Sequence, residues 1–125
     1  MLLSFKEHFI SKILIGSKIH TIRLDHSDRW GSGAMIHFCT DIRKKSFKKH
    51  LEKKCISTQK IEIIWLTEFD KEPKIFIDNK LLDRNKWHSF VKNDGFDTIE
   101  EFLNFQSWDK KNFKGKIIHW TDLRY

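Results

Sequence analysis

The spacing of apolar positions changes period along this chain. Phe5, Phe9, Ile10, Ile13 and Leu14 recur every three or four residues with Lys6, Glu7 and Lys12 between them, which predicts an amphipathic helix near the start. Ser4-x-x-Glu7 has the form of a capping box for its first turn, and Gly16 stands where a left-handed residue closes a last turn. After Gly16 the period shortens to two. Strands are predicted over 19–24, over 34–40 behind the turn Trp30-Gly31-Ser32-Gly33, and over 56–66. In the last of these, Ile61, Ile63 and Trp65 share one face and Ile64 and Leu66 the other, the pattern of a strand covered on both sides over part of its length.

Residues 74–82 read as a hairpin turning at Asp78-Asn79-Lys80, where positive φ is tolerated. Two short helices follow. Asp83 is placed to cap the first, with Trp87, Phe90 and Val91 inward and Asp94-Gly95 as its stop; Asp97 or Thr98 caps the second, which buries Ile99, Phe102 and Leu103. A final strand spans 116–122. Residues 41–55 follow neither period and read as a long loop or a short helix bearing Phe47 and Leu51.

Short strands with one leading helix and two short helices before the last strand predict an α+β domain built around a small β-barrel. The 125 residues show no repeat, linker or break in composition, so 1–125 is read as one domain. Hydrophobic residues make up 39% of it, and eleven Phe and five Trp supply enough ring area for a core without disulfides. Cys39 and Cys55 read as reduced, buried thiols. No signal sequence and no apolar run of membrane-spanning length is seen, so the expected setting is cytoplasmic and away from membranes.

Charge sharpens this picture. Of the formal net charge of +7, nearly all comes from residues 43–54, where Arg43, Lys44, Lys45, Lys48, Lys49, Lys53 and Lys54 face a single acid, Glu52. Such a patch suits a localised anionic partner such as a nucleic-acid backbone, or else a solvated insertion. Four metal-competent side chains, His37, Cys39, His50 and Cys55, lack the tight spacing of a structural zinc site, and no metal or cofactor is expected.

The densest candidate chemistry follows the first helix. Gly16-Ser17-Lys18-Ile19-His20-Thr21-Ile22-Arg23 places an ammonium, a hydroxyl and a guanidinium within six residues. On a regular strand Thr21 and Arg23 share a face; Lys18 joins them only if residues 16–19 still belong to the turn. His20 and His37 read as ordinary strand residues, with His20 kept in view by its neighbours. Trp30 reads equally as a platform for a base and as a lid on the core.

Gly16-x-Lys18-x-x-Thr21-x-Arg23, the leading Phe/Ile helix, Trp30-x-x-Gly33, Asp94-Gly95-Phe96, a helix over 98–106 and the closing Gly115-Lys116-Ile117-Ile118-His119-Trp120 together resemble the ASCH domain, a family of the PUA-like β-barrels. The likeness spans most of the chain and is weakest over 41–55. It implies a cleft for RNA, nucleotides or nucleosides; the sequence itself shows no sign of an obligatory protein partner. Lys18, Thr21, Arg23 and Trp30 would line it, and Arg43, Lys44, Lys45, Lys48 and Lys49 would flank it. Some bacterial members of that family are amidohydrolases acting on N4-acetylcytidine through a lysine, a threonine and a glutamate. The resemblance carries these roles to Lys18, Thr21 and Asp94, the carboxylate being one methylene shorter. A non-catalytic regulatory or interaction module is the remaining expectation.

Overall fold

A computed structural model describes residues 1–25, 27–105 and 111–125 of the chain. In order, the elements are β1 (Leu2–Ser4), α1 (Glu7–Ile15), β2 (His20–Arg23), β3 (Met35–Thr40), β4 (Lys48–Lys54), β5 (Ser57–Ile64), β6 (Lys74–Ile77), β7 (Lys80–Leu81), α2 (Trp87–Asn93) behind a single 3₁₀ turn, α3 (Ile99–Leu103) and β8 (Phe113–His119). The strands form two sheets, ordered β1-β3-β4 and β2-β8-β5-β6-β7. The domain is thus α+β, strand-rich, with short helices. No helix among the described residues is long and apolar enough to cross a membrane.

The expected barrel does not close among the described residues. The sheets meet at one corner, where Cys55 N–H donates to Ala34 O (2.7 Å), Gly33 N–H to Cys55 O (2.8 Å) and Ile56 N–H to His119 O (2.8 Å). Their other edges, β1 and β2, share no ladder. There a side chain bridges the gap, with Arg23 Nη2 donating to Ser4 O at 2.6 Å.

Two elements differ from the sequence pattern. Ser4 does not cap α1: it lies in β1, paired with Cys39 in a parallel ladder, and the helix starts after Lys6 without a side-chain cap. Phe5 accordingly precedes the helix, its N–H donating to Cys39 O and its ring stacked on Phe38 at 5.4 Å. The basic stretch, expected as loop or helix, contains β4. Its sequence, KKHLEKK, lacks apolar alternation because β4 is an edge strand exposed along most of its length, held by its antiparallel ladder to β3. Lysines on such an edge oppose pairing with further strands. His50 is the extra residue of a bulge opposite Phe38 and Cys39, and its Nε2 meets Thr40 Oγ1 at 2.9 Å.

The last strand, expected over 116–122, runs three residues earlier, as Phe113–His119; elsewhere the pattern is kept. Gly16 adopts φ 86° after α1, and Asp78 and Asn79 turn the β6–β7 hairpin at φ 51° and 67°. Thr98 Oγ1 caps α3, accepting from Glu101 N–H; position 106, expected at the end of this helix, lies outside the described residues. β5 ends at Ile64, and Leu66 is exposed, so the double covering does not extend that far. Asp83 precedes the 3₁₀ turn without a side-chain cap bond.

One buried cluster takes Ile22, Ile61, Ile63, Ile75 and Ile117 from the five-stranded sheet, Ile36 and Phe38 from β3, Phe9, Ile10 and Ile13 from α1, and Trp87, Phe90, Val91 and Phe102 from the later helices. Phe90 is fully buried, its ring centroid 5.6 Å from that of His20, 5.8 Å from Phe102 and 5.1 Å from Tyr125. Phe90→Ala is expected to lower the unfolding free energy in urea by about 3–5 kcal/mol, the range for removing a buried aromatic ring.

Candidate functional site

The turn out of α1 decides where Lys18 goes. With Gly16 in the left-handed region, Ser17 N–H and Lys18 N–H both donate to Lys12 O, at 3.0 and 3.1 Å. Residue 18 therefore still belongs to the turn, and Ile19 N–H then docks on Asn93 O at the end of α2 (2.9 Å) before β2 begins. Released from strand alternation, the Lys18 side chain runs inward and is only 3% exposed. Its Nζ donates to His20 O (2.9 Å) and Asp94 O (2.5 Å) and stands 3.7 Å from Asp94 Oδ1.

Asp94 arrives from the far side of the sequence. α2 stops at Asp94-Gly95, as expected of that dipeptide, and Gly95 adopts φ 97°. A Cβ there would stand 2.9 Å from both Lys18 Cδ and Phe9 Cδ1, so only glycine lets the lysine stem pass. Lys12 Nζ secures this turn by donating to Gly95 O (2.6 Å) and Asp97 Oδ1 (2.9 Å).

Lys18, Thr21, Arg23 and Asp94 all line one cavity of about 450 Å³. It opens between β1, the start of α1, β2 and the end of β3. Its apolar walls include Phe5, Phe9, Phe96 and Phe105. Phe9 meets Phe96 edge-on at 5.4 Å, and Phe96 meets Phe105 at 5.3 Å. Lys18 Nζ lies 5.1 Å from the Phe9 centroid, and the Arg23 guanidinium covers the Phe5 ring at 4.6 Å. Thr21 Oγ1 accepts from Arg23 Nε at a long 3.4 Å. Lys18 makes no hydrogen bond to Thr21 in this arrangement, its Nζ being taken by the two carbonyls.

Burial lowers the Lys18 pKa from 10.5 to about 8, the attraction of Asp94 opposing this and Arg23 adding to it. Near neutral pH the amine is thus within reach of deprotonation. Burial also lowers His20, against the pull of its hydrogen bond from Nδ1 to Asp94 Oδ1 (3.0 Å).

Other expected site residues lie elsewhere. Trp30 is a core residue, 8% exposed and absent from the cavity lining; its N–H donates to Asp25 Oδ2 (3.0 Å), and its carbonyl accepts from Lys116 Nζ (3.1 Å). Of the basic stretch only Lys44 lines the cavity. Arg43 and Lys45 sit in the exposed loop before β4, and Lys48 and Lys49 on its edge, Lys49 paired with Glu52 at 2.9 Å. Among the described residues no group of three or more His, Cys, Asp or Glu is placed to hold a metal ion, and Cys39 and Cys55 are buried free thiols.

The polar cluster behind the cavity has no counterpart in the sequence reading. His20 Nε2 meets Tyr125 Oη at 2.5 Å, Tyr125 N–H donates to Gln59 Oε1 (2.9 Å), and Gln59 Oε1 faces His119 Nε2 (3.0 Å). The one local hint was His20 itself, lying inside the motif.

No protein-family model, curated protein or solved structure matches the chain.

Burial, followed by repulsion from His20, pulls His119 down to about pKa 4. Unfolded histidine takes up its proton near pH 6.5, so between these values the unfolded chain holds more protons and folding weakens as pH falls. Urea unfolding from pH 7 to 4 is expected to show this decline, with a shallower slope for His119→Gln.

Proposed function

We propose that this protein binds a nucleoside or nucleotide, free or as one unit of an RNA, in the cavity between β1 and β2, and that its two sheets are an opened variant of the PUA-like barrel of ASCH domains. One observation carries the functional reading: Lys18, Thr21, Arg23 and Asp94 surround a single cavity walled by phenyl rings. Its volume of about 450 Å³ lies toward the small end of the usual range for small-molecule sites, which suits one nucleoside unit better than a polymer groove. The rings supply an apolar wall for a base to pack against. Asp94 and Thr21 offer polar groups for its edge, and Arg23 with Lys44 offers positive charge for a phosphate. The barrel reading is supported by the shared corner at 55–56 and by the Arg23 bridge to Ser4 across the open side.

Titration calorimetry with cytidine and cytidine monophosphate is the direct test. Saturable binding is expected, with the monophosphate losing at least about tenfold in affinity in Arg23→Ala, the scale of one charge-assisted contact. If neither compound nor a short RNA binds, the reading is wrong.

Hydrolysis of an N-acylated cytidine is the second reading, favoured by the buried lysine with a pKa near 8. In its neutral form Lys18 would turn from the carbonyls and take the Thr21 proton as Oγ1 adds to the acyl carbon. Collapse of the tetrahedral adduct would break the C–N bond, the leaving nitrogen receiving that proton. Water would then cleave the Thr21 ester, releasing the acid and restoring the hydroxyl. Asp94, which lines the same cavity, would orient the amide. Chromatography of N4-acetylcytidine incubations should show cytidine formation that rises with pH through about 8 and is abolished in Lys18→Ala. Absence of cytidine with the wild type removes this reading and leaves binding standing.

A further inference from the structure

The hydrogen bonds behind the cavity floor have directions set by the carboxylate of Asp94 and a neutral His20. Asp94 Oδ1 is a carboxylate oxygen and accepts, so the His20 nitrogen facing it at 3.0 Å, Nδ1, carries a hydrogen. His20 is fully buried, and burial lowers its pKa from 6.5 against the pull of Asp94, so at pH 7 and above the ring is neutral and Nε2, with the hydrogen on Nδ1, is an acceptor. The hydroxyl of Tyr125, 2.5 Å away, must then donate to Nε2, while accepting from Asn93 Nδ2 at 3.1 Å. Tyr125 is itself anchored at both ends of its backbone: N–H to Gln59 Oε1 (2.9 Å) and its carbonyl from Gln59 Nε2 (2.9 Å). The chain Asn93→Tyr125→His20→Asp94 therefore runs one way.

Its far end is shared. Asp94 Oδ1 stands 3.0 Å from the neutral imidazole and 3.7 Å from the Lys18 ammonium, so the uncharged partner holds the closer place. Lys18 has two carbonyls in direct contact and the carboxylate only at 3.7 Å, a set that stabilises an ammonium less than a close carboxylate does.

We propose that Tyr125 and His20 are positioning residues for Lys18: Tyr125 fixes His20 with its hydrogen on Nδ1, and His20 so oriented holds Asp94 back from a close ion pair with the amine. The result is an amine at the cavity floor that sheds its proton readily. The other charged groups that act on Lys18 are Arg23 from β2 and Lys12 from α1, Lys12 being drawn toward Asp97; Lys6, Glu7, Asp41 and Lys44 line the same cavity without an ion pair or hydrogen bond to the amine. Around His20 the remaining titratable neighbours are His119 and Tyr125, at 5.2 and 5.4 Å between ring centroids. None of these supplies Lys18 with a second carboxylate. The use of the free amine as a base rests on the hydrolytic reading, whereas its titration does not.

The test is a pH titration of lysine side chains by NMR on protein labelled with ¹³C-lysine, with Lys18→Met identifying the resonance. No ligand is needed, so the outcome is independent of whether any nucleoside binds or is cleaved. The wild type is expected to titrate near pH 8 at Lys18. Tyr125→Phe keeps the ring packed on Phe90 and removes only the hydroxyl. It should raise the midpoint, and His20→Phe should raise it further, by roughly one pH unit or more as Asp94 closes on the ammonium. His20→Asn, whose amide nitrogen can stand where Nδ1 stands, should return it toward the wild-type value. A purely structural role predicts the same midpoint in every folded variant. An unchanged or lowered midpoint in Tyr125→Phe overturns the proposal, and that variant decides alone if His20→Phe does not fold.

Discussion

An ammonium and a carboxylate cannot be taken out of water unless several parts of a chain agree on where to place them, and Lys18 with Asp94 imposes that agreement here. The two residues are 3% and 2% exposed, and they come from elements far apart in sequence. Desolvating each costs several kcal/mol, so the pair survives only where carbonyls and a neighbouring imidazole supply the missing hydrogen bonds. That requirement ties the left-handed exit from α1, the start of β2 and the end of α2 to one another. Gly95 has no side chain because the lysine stem and Phe9 occupy the space a Cβ would fill.

A buried pair of this kind is a poor source of stability, since apolar residues of similar volume would serve as well or better. Its benefit lies in the local field. Phe5, Phe9, Phe96 and Phe105 exclude water from one side of the cavity, so Arg23, Lys18 and Asp94 act in a medium of lower effective dielectric than the surface. Arg23, lying over the Phe5 ring, bridges the edges β1 and β2 that share no ladder. The cavity lies beside this gap, with Ser4, Phe5, Thr21 and Arg23 in its lining.

The legible parts of the fold were those in which burial imposes a period. α1, β2, β3, β5, the β6–β7 hairpin and the two later helices all present a stripe or an alternation to the core. β4 did not, because an edge strand gains most of its hold from backbone bonds that any residue can make, and its lysines face solvent on both sides. β1 escaped for a related reason. Three residues are too few to show alternation, and Ser4-x-x-Glu7 matched a helix cap equally well until the parallel ladder to β3 claimed the Ser4 backbone. Trp30 offered a flat ring suited to stacking; the bonds of its backbone to Asp25 and Lys116 draw it into the core instead.

From the residues alone came the strand-rich α+β class and the cluster of Lys18, Thr21 and Arg23. Asp94 joined them only through the resemblance to ASCH domains, the residues themselves giving it as part of a turn. Local forces govern these: a glycine that frees the helix exit, a period of two, a turn dipeptide. Whether the four groups share a hollow, which of them meet, and that His20 and Tyr125 stand behind them were decided by tertiary packing. Those facts depend on distances between segments as many as 105 positions apart, which no local pattern records and only the closing of the core can set.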